Sequence, residues 1–533
     1  MEKFKKVYEF VVSIIKRYRK PLGIALAIIL SIFILRGVRI MTFRRSLVSY
    51  NKPRTHKILA TRGNIYDCNG NIIATNKEVH DIFIDCCVID SPDEWKTFSR
   101  KLAQDLAEIL PEKTAPQWWV YFQNARKQNN RYLPIIKNTS KETIDTLMNS
   151  TSLKKGYKSG RIHISRTVRE YPYGNLARRT IGAWNSGTET YMFGIERSFN
   201  DELKGQDGYV TTCYDFKRRS FDKVVVDSKP VFNGYSIHTT LDMSMQAMAD
   251  SLLHAVVESS VNITGGCLAL MEVKTGKIRA IANTHKTDKG LVGEYLNYSL
   301  DYAYEPGAVA EPISLAAALS DGIIKSMNDE NNIGEKYSGC EDYFYEWYKT
   351  LCISRSNFDI KEMRNVCFQA TKDTNHITAM SKGFEFTICP MHLLVFYNTI
   401  ANDGIMMRPM VIDSLVNDTY STKISVPQEL NSRALRQEVT DSLKKALSLH
   451  AGGIIGKTGL AQQVIAPESK NPYQDTSERK QYVKTFAGFF PEEEPQYSIV
   501  CALFTKPINS LPTQTFLPSD VVSNLPVKHV LTI

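Results

Sequence analysis

The stretch Ala451-Gly452-Gly453-Ile454-Ile455-Gly456-Lys457-Thr458-Gly459 admits two readings, and they lead to different folds. Up to Thr458 it nearly fits a glycine-rich phosphate loop, with alanine where that pattern opens on glycine. Such a loop works only between a strand and a helix, because its amides must meet a helix N-terminus to hold a phosphate. Here residues 441–449 before it have helical character, and Leu460-Ala461-Gln462-Gln463-Val464 after it carries no helix-start signal. No later apolar strand ends in an acidic metal ligand. The nucleotide reading fails on context, and the tripeptide Lys457-Thr458-Gly459 takes its meaning from its surroundings.

Working outward, the flanks are apolar and orderly. Downstream come Phe486-Ala487-Gly488-Phe489-Phe490-Pro491 and then Pro495-Gln496-Tyr497-Ser498-Ile499-Val500. The most polar long loop, 466–479, lies between two apolar stretches. Upstream, residues 243–257 set Met245, Met248, Leu252, Leu253 and Val256 at three- and four-residue steps, which predicts a helix with a core face. Residues 267–271 and 277–282 flank Thr275-Gly276 and predict a strand hairpin. Nearer the N-terminus, Ile82-Phe83-Ile84-Asp85 reads as a strand and Asp67-Cys68-Asn69-Gly70-Asn71 as a turn. Residues 94–110 read as a helix that Pro111 ends. There are no internal repeats.

The 533 residues call for two or three domains, and 43% hydrophobic with 23% charged residues supplies a sizeable core and excludes disorder. The net charge is +10, partly from basic residues beside an apolar run near the start. No concentrated basic stripe marks a nucleic-acid face. The ten cysteines are irregularly spaced without a CxxC pair, so neither a zinc site nor a redox motif is implied. Cys340, Cys352 and Cys367 are close enough in sequence to be disulfide candidates; buried free thiols are the equal alternative.

Residues 21–35, PLGIALAIILSIFIL, carry no charge, and Arg36 and Arg39 interrupt the continuation to 41. A span needs roughly 20 apolar residues, so Lys20 and Arg36 would snorkel toward the headgroups. No small-x-small cleavage site follows, and Lys16, Arg17, Arg19 and Lys20 supply a cytoplasmic flank. The expectation is an uncleaved single-pass anchor at 21–41 behind a cytoplasmic tail, 1–20.

Several motifs resemble one family in order and spacing. Arg62-Gly63-Asn64-Ile65-Tyr66-Asp67 with Asn69-Gly70 and Ala74, then Arg169-Glu170-Tyr171-Pro172 with Gly174, Ala177 and Gly182, resemble the first two pedestal motifs of class B penicillin-binding proteins. Gly194-Ile195-Glu196 and Leu203-Lys204-Gly205-Gln206-Asp207-Gly208 resemble the third. Leu241-Asp242 with Gln246 resembles the opening of the transpeptidase domain. Ile400-Ala401-Asn402-Asp403-Gly404 with Pro409 resembles a later segment, and Lys457-Thr458-Gly459 the family's third catalytic signature. The likeness covers most of residues 57–507. It implies an α+β fold: the anchor, a mixed pedestal (dimerisation) domain at 42–235, and a penicillin-binding, serine β-lactamase-like transpeptidase domain of antiparallel sheet and helices at 236–533. It implies no cofactor and no metal.

The catalytic positions depart from the family pattern. The family's nucleophile lies in a segment like EPGSxxKP, where serine and lysine one helical turn apart share a face and the lysine takes the hydroxyl proton. Here the segment is Glu305-Pro306-Gly307-Ala308-Val309-Ala310-Glu311-Pro312. Ala308 stands at the serine position and Glu311 at the lysine position. The second signature, SxN, is best matched by Arg355-Ser356-Asn357, with arginine at its serine position; a one-residue shift would give that role to Ser354. Leu460 follows Gly459 where the family has a hydroxyl residue. Four SxxK matches elsewhere, at Ser152, Ser220, Ser442 and Ser477, lie outside the Pro-Gly frame and read as surface charge.

The resemblance therefore implies a role in peptidoglycan synthesis, in division or elongation, with Ala308, Glu311, Asn357, Lys457, Thr458 and Gly459 as the remnant site. The leading expectation is an inactive pseudo-transpeptidase at the bacterial inner membrane, with the bulk periplasmic, scaffolding a polytopic glycan polymerase. The alternatives are an active D,D-transpeptidase or carboxypeptidase with another nucleophile, and a non-covalent sensor of stem peptides or β-lactams. Glu311 is expected to face Lys457. If that pair is buried, breaking it from one side costs about 3–5 kcal/mol.

Overall fold

The computed structural model describes residues 2–50, 53–149, 152–154, 156–185, 190–215, 222–325, 332–368, 373–417, 421–450, 453–465, 479–506, 518–525 and 530. The chain divides into two compact units, Met1–Thr61 with Gly205–Asn233, and Arg62–Lys204 with Gly234–Ile533. The expected polar loop, except Arg479, falls outside the described residues.

In the first unit, helix α1 (Glu2–Tyr50) runs past the expected anchor on both sides. Part of the apolar run 21–35 has side chains outside the described set. Among the described residues no helix is long and apolar enough to cross a membrane. The unit also holds a three-stranded antiparallel sheet, with Gly208–Asp215 between Arg54–Ile58 and Asp222–Lys229. Asp207 fastens its margin, accepting from Ala60 N–H and pairing with Lys57 at 2.7 Å.

In the second unit, α2 (Pro92–Ile109) is the helix expected before Pro111. Ser91 caps it by accepting from Glu94 N–H, and proline fits the first turn, where no amide partner is needed. Its Trp95, Leu102 and Leu106 bury against Trp118 and Phe122. The strand expected at Ile82 to Ile84 is the end of Ile72–Ile84, which pairs with Leu133–Thr139 and Arg161–Glu170. The same sheet passes through Ile65–Tyr66 and Ser236–Thr239 to Ile412–Asn417, so residues before and after position 235 share one sheet. Three motifs far apart in sequence meet here: Glu196, fully buried, takes ion pairs from both Arg62 and Arg169. Two cations on one carboxylate explain why it tolerates burial.

The larger sheet carries the site. Its strands are β1 (Ile263–Glu272), β2 (Ile278–Lys286), β3 (Val292–Gly293), β4 (Ser448–His450), β5 (Ile454–Ile465), β6 (Arg479–Phe490) and β7 (Tyr497–Thr505), in the spatial order β3-β2-β1-β7-β6-β5-β4. All its neighbours are antiparallel, and β1 and β2 form the expected hairpin. Side chains alternate between faces. Leu268 and Leu270 meet Met245, Ala249, Leu253 and Val257 of α3 (Met243–Ser259); of the predicted stripe, Met245 and Leu253 are buried, while Met248, Leu252 and Val256 are only partly buried against this core. Ala269 and Met271 face the other way, into a core with α4 (Glu311–Ser320) and α5 (Pro390–Ala401). Every residue of α5 is buried, as befits a helix apolar all round.

Between pedestal residue Arg179 and β2 sits Glu294. It accepts from Arg179 N–H at 3.0 Å and, weakly, from Asn283 Nδ2 at 3.5 Å. Burial, with the Asp250 charge adding to it, pushes its carboxyl up to about 8. The folded state holds this proton at neutral pH while the unfolded chain releases it near 4.5. Folding stability from this group is therefore full below about pH 4.5 and declines as pH rises through about 8. Thermal midpoints measured from pH 5 to 8 should fall in the native chain and fall less in Glu294→Gln.

Candidate functional site

The cleft begins where Tyr304 exchanges two backbone hydrogen bonds with Ile388, each 3.0 Å, fixing the start of the elbow. Glu305 and Pro306 then lead into a 3-10 turn, Gly307–Ala310, which hands over directly to α4 with Pro312 in its first turn. Three glycines let three backbones meet at this point. Gly307 has φ +66°, and a Cβ there would lie 2.7 Å from Leu460 O. Gly383 has φ +87°, accepts at its carbonyl from Gly307 N–H at 2.9 Å, and would place a Cβ 1.9 Å from Gly307 O. A Cβ on Gly459 would lie 2.7 Å from both Pro306 O and Val309 N. The glycine of Lys457-Thr458-Gly459 is thus required by close packing of β5 on the elbow.

Those residues lie inside β5, paired with β6 at Lys457↔Ala487, Thr458↔Phe486 and Gly459↔Thr485. The helical character expected over 441–449 ends at Ala446; β4 follows, and β5 is its hairpin partner. No helix follows Thr458 directly, so the phosphate-loop reading has no structural basis. Ala451 and Gly452 lie outside the described residues.

Ala308 sits in the 3-10 turn, half-buried, one turn before Glu311. Its side chain is a methyl group and offers no nucleophile. Glu311 Oε2 lies 2.6 Å from Lys457 Nζ. Each side chain is about a third exposed, 33% and 31%, so the pair is not the buried one considered from sequence. Solvent screens it, and pairs of this kind are worth about 0.2–1 kcal/mol. Glu311→Ala should accordingly lower stability by about 1 kcal/mol or less, read as a small shift of the urea midpoint; a loss several times larger would show the pair to be buried in solution.

Beneath the turn, the Tyr397 hydroxyl donates to Val309 O at 2.9 Å. Burial and then the Glu311 charge push this phenol well above its usual value, so it remains a neutral donor. Ser314 Oγ donates to Glu311 O and to Ser381 O, tying α4 to the segment that ends at Gly383. Glu385 N–H donates to Glu305 Oε1 at 3.0 Å. Burial raises the Glu305 carboxyl, with the Glu385 charge adding to it. Glu385 itself is left-handed, φ +61°, a costly state for a residue with a Cβ.

Of the expected site residues, Ala308, Glu311, Lys457 and Gly459 come together. Thr458 and Leu460 are exposed along β5, Leu460 at 46%. Asn357 is held by a different element. It closes a 3-10 turn, Arg355–Asn357, capped by Ser354; its N–H donates to Ser354 O, and among the described residues it makes no hydrogen bond to Glu311 or Lys457. The contributions of Gly383, Glu385 and Tyr397 were not foreseen. All ten cysteines are free: Cys340 and Cys367 are exposed and Cys352 is buried, so the suggested disulfides are absent. Cys389 instead serves as a cap, forming with His392 the reciprocal box that opens α5.

Comparison with known proteins agrees with this architecture. The family described as a penicillin-binding protein dimerisation domain matches residues 57–239, and the penicillin-binding protein transpeptidase domain matches residues 266–363 and 340–513. The chain is 23% identical to the probable peptidoglycan D,D-transpeptidase PenA of Neisseria gonorrhoeae, over 95% of this chain and 90% of that protein. It is 22% identical to the peptidoglycan D,D-transpeptidase FtsI of Escherichia coli K12, over 84% and 80%. Among solved structures, penicillin-binding protein 2X of Streptococcus thermophilus superposes with a TM-score of 0.65 at 18% identity, covering 90% of this chain and 80% of that one. A peptidoglycan synthetase of Bifidobacterium adolescentis gives 0.62 at 16%, covering 90% and 97%. With the elbow, the Lys457-Thr458-Gly459 strand and the pedestal motifs on one frame, the chain belongs to the class B penicillin-binding proteins and is homologous to the peptidoglycan D,D-transpeptidases of cell-wall synthesis.

Proposed function

We propose that this protein is a pseudo-transpeptidase that acts in peptidoglycan synthesis as a scaffold or regulator. The observation that carries the reading is the state of the elbow: a methyl group at Ala308, and a carboxylate at Glu311 that engages Lys457 at 2.6 Å. Acyl transfer in this fold needs an oxygen nucleophile and a base one turn away. The chain supplies neither at these positions, and the anion occupies the lysine that would otherwise attract a substrate carboxylate. The proposed setting is the inner membrane, with residues 21–41 as a single anchor and the remainder periplasmic. The proposed partner is a polytopic glycan polymerase, bound through the anchor and pedestal, surfaces that need no catalytic serine.

Purification of the full chain from native membranes after crosslinking tests this role. A polytopic polymerase should co-purify with the native chain and equally with Lys457→Ala. Absence of any such partner, or its loss in the cleft variant alone, would count against scaffolding.

A further inference from the structure

A polar cavity lies apart from Ala308, Glu311 and Lys457. It is a cavity of about 370 Å3, bounded by the turn after Ile65–Tyr66, the start of α3, the β1–β2 hairpin, Ile412–Asn417 and the first residue of β7. None of Ala308, Glu311 and Lys457 lines it. Its volume falls within the range of ligand sites, roughly 300–1,000 Å3, but its lining is polar where such sites are mostly apolar.

The lining charges do not balance. Asp67, Asp242, Glu272 and Asp413 face two fixed cations, Lys277 and Arg279, and the His238 imidazole. Arg279 pairs with Glu272 at 2.9 Å and Lys277 with Asp413 at 2.7 Å. Asp67 and Asp242 are 1% and 3% exposed and have no ion pair among the described residues. Asp67 accepts from the N–H groups of Asn69 and Asn71 and the Asn71 amide. Asp242 caps α3, accepting from Ser244 N–H, Met245 N–H and the Asn69 amide. The helix terminus offsets part of the Asp242 charge. No formal positive charge pairs with either carboxylate.

A second polar group turned into the cavity is Tyr497. It lines the cavity at 9% exposure, and its hydroxyl has no hydrogen-bond partner among the described residues. At the mouth, the Cys68 thiol lies 3.6 Å from Asp242 Oδ2. Partial burial and then the Asp242 charge push it up to about 11, so it stays neutral.

We propose that this cavity binds a small organic cation of the guanidinium or alkylammonium class. Its N–H donors go to Asp242 Oδ2, displacing the weak hydrogen bond from the Cys68 thiol, and to the Tyr497 hydroxyl as acceptor. The cation arrives either as a free amine or as the tip of an arginine or lysine side chain on a partner. In the second case the cavity is a docking point that reads a basic residue.

Calorimetric titration of the detergent-solubilised full chain tests this with agmatine, with the capped peptide acetyl-Gly-Arg-Gly-amide, and with acetate as an anionic control. Saturable binding of agmatine alone assigns a free amine; binding of both cations assigns a side chain. Asp242→Asn keeps a good helix cap and should weaken binding about tenfold. Cys68→Arg, which tethers a guanidinium at the mouth, should abolish agmatine binding and raise the thermal midpoint above those of the native chain and Cys68→Leu. The proposal is overturned by no saturable heat with either cation up to about 10 mM, by acetate binding as well as the cations, by unchanged affinity in Asp242→Asn, or by Cys68→Arg melting below Cys68→Leu.

Discussion

The Ala308→Ser chain should remain unlabelled by a fluorescent penicillin. A serine at that position gains an oxygen but no free base, because the Glu311 carboxylate is engaged by Lys457. Glu311, one turn away, is an anion already hydrogen-bonded to Lys457. Removing a hydroxyl proton requires a neutral amine or comparable base within reach. The double variant Ala308→Ser/Glu311→Lys is different. It breaks the ion pair and sets a second lysine beside Lys457, and like charges depress each other's pKa, favouring the neutral base. General-base catalysis contributes about 10²–10⁴-fold, so the double variant should label at least about 100-fold faster than the single one. Labelling of the single variant at the rate of the double would show that some other group serves as base.

Gly383→Ala should cause the largest loss of stability among substitutions around the cleft. Its φ of +87° disfavours any residue with a Cβ, and the new atom would lie 1.9 Å from Gly307 O and 2.4 Å from Gly307 C. These are backbone atoms of the elbow, which β5 hems in from the other side through Gly459. No side chain can rotate away to relieve the contact. The left-handed backbone alone costs about 1–2 kcal/mol, and steric overpacking adds about 1–3 kcal/mol or more. A urea midpoint shift equivalent to about 3 kcal/mol or more is expected, against only the backbone share of about 1–2 kcal/mol for Gly322→Ala, which shares a positive φ but meets open space. Equal shifts in the two variants would mean that the elbow is looser than the close approach implies.

The contrast between those two glycines shows what a sequence conveys and what it withholds. Glu311 and Lys457 are 146 residues apart, yet their meeting was legible, because each stands in a short motif whose frame is intact. The same holds for Arg62, Arg169 and Glu196, one from each pedestal motif, which converge on a buried carboxylate with two cations. The β1–β2 hairpin and α3 were legible from periodicity, since one buried face imposes a repeat of two or of three to four. Exposure of the Glu311–Lys457 pair was not legible, because it depends on how far β5 stands from α4 rather than on residue type. Gly383 and Glu385 gave no signal, since their roles come from contacts across the fold. Asn357 lies in a recognisable motif, and the structure adds how its turn is anchored, by Ser354 and by neighbours such as Asp359, which accepts from Val411 and Ile412 N–H.

The central claim is that the fold persists without its acyl chemistry. Intact-mass spectrometry of the native full chain, after saturating exposure to a β-lactam, tests it most directly. The account predicts the unmodified mass throughout; a stoichiometric penicilloyl adduct on any residue would contradict it.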